Sequence, residues 1–183
     1  PATPPRAFPR AAAVLLESRP LRWLLLASVA SGLVYRGVLT FLPLHLSDSA
    51  GGVLNASYLT SVVLLAGIVA QRMGGELADR LPRERLFLAE VALFAPVLVL
   101  LGLSSGVGLV VCAVSFGFLW YLSQPLSQAL AAAHADTRDH GLLYGLQFSA
   151  TFAAGSFATT LGGVLAARGG TILAFLGFGA VAV

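Results

Sequence analysis

Charge is scarce in this chain. Of its 183 residues only 10% are Asp, Glu, Lys or Arg, against 57% that are hydrophobic, and the mean hydropathy is +0.87. That balance excludes a soluble globular domain, and several segments approach the roughly 20 consecutive apolar residues needed to cross a bilayer. Cysteine is nearly absent too. Cys112 stands alone inside an apolar run, which rules out a disulfide framework or a Cys/His metal spacing and makes it an expected inert, buried thiol. Neither a phosphate-binding Gly-Lys loop nor an H-E-x-x-H zinc pair occurs, so no enzyme activity and no cofactor is expected. The net charge of +3 would suggest a nucleic-acid partner in a soluble chain. Here most arginines fall in short stretches beside apolar runs, so membrane topology accounts for them and no nucleic acid is expected as a partner.

What is present is a succession of apolar runs. Residues 1–20 hold five of the nine prolines and three arginines, begin without Met and lack a signal-peptide layout, so they read as a cytoplasmic linker between domains. Six apolar runs follow, at about 21–46, 54–73, 86–103, 107–131, 142–165 and 171–183, with bends expected at Pro43 and Pro96. The last run spans only about 20 Å at 1.5 Å per residue, against a hydrocarbon core of roughly 30 Å. The fold expected for residues 21–183 is therefore all-α, a polytopic membrane bundle of six transmembrane helices whose last helix is truncated. Alternate loops differ in charge. Arg6, Arg10, Arg19, Arg22, Arg72, Arg80, Arg83, Arg85 and Arg138 share one side and Arg168 stands on the other, which places the amino terminus in the cytoplasm; the expected location is a plasma (cell inner) membrane.

In a bilayer, polar side chains face the bundle or an aqueous path, so their distribution says which helices line something. Ser28, Gly32, Arg36 and Thr40 recur at four-residue steps in the first run, and Gly117, Trp120, Gln124 and Gln128 do much the same in the fourth. The fifth carries Tyr144, Gln147, Thr151, Gly155, Thr159 and Gly162 on one face, and the second has Asn55, Tyr58 and Ser61 near its outer end. The third offers only Glu90, expected to reach the cytoplasmic interface and pair with arginines there, and the sixth only Thr171. Helices 1, 2, 4 and 5 should thus line a cavity and helices 3 and 6 face lipid. The cavity candidates are Tyr35, Arg36, Thr40, Trp120, Gln124, Gln128, Tyr144, Gln147 and Thr151, while the Gly and Ser positions equally suit helix packing. His45, His134 and His140 fall at membrane boundaries and read as solvated. Arg36 lies near the bilayer midplane, where an arginine costs about 2.5–3.5 kcal/mol and needs a partner. Either an anionic group of a bound solute or of another part of the protein serves, or a fixed pairing with backbone carbonyls or Tyr35.

The densest charge sits in Gly75-Glu76-Leu77-Ala78-Asp79-Arg80-Leu81-Pro82-Arg83-Glu84-Arg85, expected to be a cytoplasmic turn. This stretch resembles the G-x-L-A-D-R/K-x-G-R/K-R/K motif that the major facilitator superfamily carries between the second and third helices of each six-helix half. Gly75, Leu77, Ala78, Asp79, Arg80, Arg83 and, one place late, Arg85 match; Pro82 replaces a Gly and Glu84 a basic residue. The resemblance implies a secondary transporter of small solutes working by alternating access, with Gly75, Asp79, Arg80, Arg83 and Arg85 as a cytoplasmic gate and helices 1, 2, 4 and 5 around the central path. Helix 4 lacks the Arg, and helix 5 the Gly-Pro pair, that such families show in their first half. The chain therefore resembles the second half, whose partners would be the bilayer, the missing amino-terminal six-helix half and a small-molecule substrate, anionic if Arg36 binds it. The rival is a self-contained six-helix homo-oligomeric channel or scaffold, against which the short sixth run argues.

Overall fold

The computed structural model describes residue 13 and residues 17–49 and 53–181. Most of the expected linker 1–20, the turn at 50–52, the end of the sixth run and the side chain of Asn55 lie outside the described residues. Among the described residues five long helices follow one another: α1 (Arg19–Ser49), α2 (Val53–Arg80), α3 (Arg83–Leu103), α4 (Gly106–Ala133) and α5 (His140–Val181), with a 3₁₀ turn at Thr137–Asp139 before the last. All five are long and apolar enough to cross a membrane. With 42 residues, α5 is too long for one straight span, since at 1.5 Å per residue it would extend about 63 Å. It breaks at Gly169 and Gly170, where φ is −152° and +70°. The second value lies in the left-handed region that glycine enters without a Cβ penalty. The limbs at 140–168 and 171–181 therefore supply the fifth and sixth expected helices.

Helix ends follow local chemistry. Pro20 occupies the first turn of α1, where a missing N–H is harmless. Pro82 stands immediately before α3 with φ −61° and ψ 107°, the extended backbone of a cap, and Glu84 follows in the first turn, favourable beside the positive end of the helix dipole. The expected cytoplasmic turn is thus corrected. Gly75 to Arg80 continue α2 by two turns past residue 73, because Glu, Leu, Ala and Arg are all good helix formers, and only Leu81 and Pro82 connect α2 to α3. Arg83 Nε donates to the Ala78 carbonyl at 2.8 Å and closes the end of α2.

The strongest packing joins α1 to α5 and α2 to α4, with α3 against α4 and α5. Glycines set the distances. A Cβ on Gly32 would collide with the Thr151 backbone, and one on Gly155 would stand 3.0 Å from Arg36 Cβ, so α1 and α5 cross with their backbones nearly touching. Gly117 meets Val63 at 2.5 Å from its would-be Cβ, and Gly67 and Gly74 bring α2 against Tyr121 and Leu122 of α4. Gly75, expected to admit a neighbouring helix, has no heavy atom within 4 Å in this bundle; the close approach falls to Gly74 one place earlier.

The core runs through Val34, Val38, Leu42, Phe94, Leu98, Phe116, Phe175 and Phe178. Helix 6 is therefore not a lipid-facing spectator, since Phe175 and Phe178 on its limb are fully buried. His45 is likewise buried rather than solvated: its Nδ1 lies 2.7 Å from the Thr171 hydroxyl and its ring leans on Phe175 at 5.1 Å. Cys112 is half-buried, 3.7 Å from the Ser104 hydroxyl.

Overpacking the α1–α5 crossing should be costly. Gly32→Val is expected to destabilise by about 1–3 kcal/mol or more, read as a lowered unfolding midpoint in detergent. Gly163→Ala, with open space around its Cβ, should leave the midpoint unchanged or slightly raised.

Candidate functional site

Thr151 begins the site. Its hydroxyl lies 3.2 Å from the Ser28 carbonyl and 2.9 Å from the Gln147 carbonyl, tying α5 to α1 where Gly32 lets the two backbones meet. One turn beyond Gly32 along α1 are Tyr35 and Arg36. Tyr35 lies flat on Trp120 of α4, ring centroids 4.2 Å apart and planes within 6°, and its hydroxyl shares a 3.1 Å hydrogen bond with that of Tyr121. On its other flank Trp120 meets the edge of Phe94 from α3 at 6.4 Å. Three helices thus fix one indole, 4% exposed, as a rigid wall.

Two neighbouring hollows open on that wall, of about 550 and 570 Å³, and they share Trp120, Gln124, Phe148 and Thr151. They adjoin along these four residues, so the pair reads as one cleft with two ends. At one end Arg36 stands exposed beside Tyr35, Gln71, Tyr121 and Gly155, and no acidic side chain lines it. At the other end the walls are Ser28 and Ser31 of α1, Phe87, Glu90 and Phe94 of α3, Ser123, Ser127 and Gln128 of α4, and Gln147 of α5. Among the sequence candidates, Tyr35, Arg36, Trp120, Gln124, Gln128, Gln147 and Thr151 come together on this cleft. Two do not. The Thr40 hydroxyl turns back to the Arg36 carbonyl at 2.7 Å, and Tyr144 lies beside His140, ring centroids 6.0 Å apart, lining neither end.

Helix 3 departs most from the sequence reading. Glu90 does not reach for the interface arginines: it is 3% exposed, points into the bundle, and neither carboxylate oxygen has a hydrogen-bond partner. Ser123 sits beside it, but that hydroxyl donates to the Trp120 carbonyl at 2.7 Å. Phe87, Glu90, Val91 and Phe94 are spaced i, i+3, i+4 and i+7 on one face, but three of the four are apolar, so the face carries no polar stripe in the sequence. Helix 2 contributes only Gln71 to the cleft, while Tyr58 and Ser61 are exposed elsewhere.

The charged stretch forms a separate site at the α2–α3 end. Asp79 near the end of α2 and Arg83 at the start of α3 are 3.9 Å apart across the connection, and Arg72 and Glu76, one turn apart on α2, are 3.2 Å apart; both pairs are exposed. Such pairs contribute about 0–1 kcal/mol each. Among the described residues no group of three or more His, Cys, Asp or Glu could hold a metal.

The family model described as Major Facilitator Superfamily matches residues 24–183. The chain belongs to this superfamily. Solved structures agree on the fold. A variant of the E. coli fucose:proton symporter, FucP, superposes with a TM-score of 0.82 at 16% identity, covering 96% of this chain and 43% of that one. FucP in the outward conformation gives 0.81 at 16% identity with the same coverage. The chain spans less than half the length of these superfamily structures. No curated protein matches it in sequence. Superfamily membership and the five apolar helices together make this an integral membrane protein.

The aromatic wall should be separable into its parts. Tyr35→Phe keeps the stack but loses the bond to Tyr121, for an expected cost of about 0.5–1.5 kcal/mol. Trp120→Ala removes the wall itself, for about 3–5 kcal/mol. Detergent unfolding with near-ultraviolet circular dichroism checks both, the second variant alone losing the signature of the stacked pair.

Proposed function

We propose that this chain is one six-helix half of a secondary transporter that moves a small solute by alternating access, and that the cleft on Trp120 is its share of the substrate path. The observation that carries the reading is Arg36. A guanidinium deep in a membrane bundle, with no carboxylate lining its end of the cleft, lacks the counter-charge that such a position calls for. An anionic group of the solute supplies it, held by the fork of N–H donors that suits carboxylate and phosphate. Tyr35, Trp120, Gln124, Gln147 and Thr151 give the rest of the surface, an apolar wall edged with amide and hydroxyl groups, as solute sites commonly are.

Gly75, Asp79, Arg80, Arg83 and Arg85 would then form the cytoplasmic gate against the other half. Two features support that role: the open space at Gly75, and the weak, exposed pairing of Asp79, whose carboxylate is available to a helix end brought up to it. Contacts made in one state and broken in the other are what a two-state gate requires. The arginine distribution supports a cytoplasmic amino terminus, with residues 1–20 as a linker from the missing half, and the plasma membrane is the location this reading assigns.

Uptake by the full-length parent transporter in vesicles tests the site. Arg36→Ala is expected to lower uptake of anionic solutes at least tenfold and to leave neutral ones unchanged, with folding verified in parallel; equal uptake of all solutes by both proteins would remove Arg36 from the site. Orientation has its own test. In a Cys112→Ser background, Ser105→Cys should react with an impermeant maleimide on intact cells, and Leu81→Cys only after permeabilisation.

A further inference from the structure

The end of the cleft opposite Arg36 has the reverse chemistry. Three buried oxygens there lack a hydrogen-bond partner: both carboxylate oxygens of Glu90 and Oε1 of Gln147, on residues only 3% and 6% exposed. All three are acceptors. Glu90 is the only ionisable side chain on that end, whose other polar members are serines, glutamines and Thr151, so no basic group of the lining balances it. A carboxylate removed from water without a counter-charge is strongly disfavoured and neutral hydroxyls and amides do not replace one, so alone the group holds a proton and it ionises only against a cation brought to it. A primary ammonium carries a positive charge and three N–H donors, matching both the charge and the number of orphaned acceptors.

We propose that Glu90 and Gln147 receive the protonated amine of the transported solute, which makes the substrate a zwitterion with its amine at Glu90 and its acid at Arg36. The acid end rests on the reading of Arg36 given above; the amine end does not. Spacing narrows the class further. Ser28 and Ser31, which line the Glu90 end, lie eight and five residues before Arg36 on α1, about 12 and about 8 Å along the axis. Even with the reach of the arginine, those separations suit an amine and an acid held several atoms apart, as in an ω-amino acid or a short peptide. Trp120, Gln124, Phe148 and Thr151, common to both ends, would contact the connecting segment.

The test uses matched probes on the purified full-length transporter: 6-aminohexanoate against hexanoate, and 4-aminobutyrate against butyrate, with affinity read from thermal stabilisation. The amino member of a pair should bind wild type more tightly. Glu90→Gln, which keeps shape and removes charge, should weaken the amino member about tenfold or more and leave its desamino counterpart unchanged. Gln147→Met should act in the same direction and more weakly. Arg36→Ala should weaken both members alike. If Arg36→Ala has no effect while Glu90→Gln still discriminates, the anion reading falls and the amine site stands. Equal losses for both members in Glu90→Gln, no loss for either, or no amino compound that stabilises wild type would each overturn the proposal. So would a Glu90→Gln protein with unchanged affinities that has lost only proton- or sodium-driven accumulation, since Glu90 would then serve a coupling ion.

Discussion

The crossing of α1 and α5 is the constraint on which the rest of the bundle depends. Lipid offers no hydrophobic drive for two apolar helices to associate, so close van der Waals contact and hydrogen bonds have to do it. Gly32 and Gly155 allow that contact, and the Thr151 hydroxyl adds a bond to α1 inside it. Because the crossing lies within one turn of Tyr35 and Arg36, it also fixes where those side chains emerge. Tyr35 in turn locks Trp120, and Trp120 is the wall that both ends of the cleft share.

The cleft so built is polar in an uneven way. At the Arg36 end a cation sits among aromatic rings and an amide, and at the Glu90 end acceptors predominate. Neither Arg36 nor Glu90 meets an oppositely charged side chain in the lining of its own end, although a fixed partner would suit a purely structural role better. Unpaired polarity in an apolar frame is expensive, and it is concentrated here on one concave surface to which all five helices contribute.

Much of this was legible in the residues. Long apolar runs interrupted by short charged stretches announced the helices, and Arg168-Gly169-Gly170 marked the break inside α5 that its length alone would obscure. The steps Ser28–Gly32–Arg36 and Trp120–Gln124–Gln128 showed which faces turn inward, because only one face of each helix is interrupted by polar groups. Three things were hidden, each for a physical reason. Charge in the Gly75–Arg80 stretch suggested a loop, although its residues favour helix and the helix simply leaves the apolar region before it ends. Glu90 stood alone among apolar neighbours, and one polar residue has no periodicity of its own. Thr40 and His45 satisfied their polar groups locally or across the bundle, at the Arg36 carbonyl and the Thr171 hydroxyl, and no one-dimensional pattern distinguishes such a bond from an opening.

The links between helices carry a mechanical consequence. Leu81 and Pro82 join α2 to α3, Ser104 and Ser105 join α3 to α4, and Gly169 and Gly170 divide α5. Each is two residues long, one holds a proline and another a glycine with positive φ. Connections so short leave no slack for one helix to slide or tilt independently of the next. A displacement of the α2–α3 corner would therefore carry both helices together, and with α3 the side chains of Phe87, Glu90 and Phe94 that line the cleft.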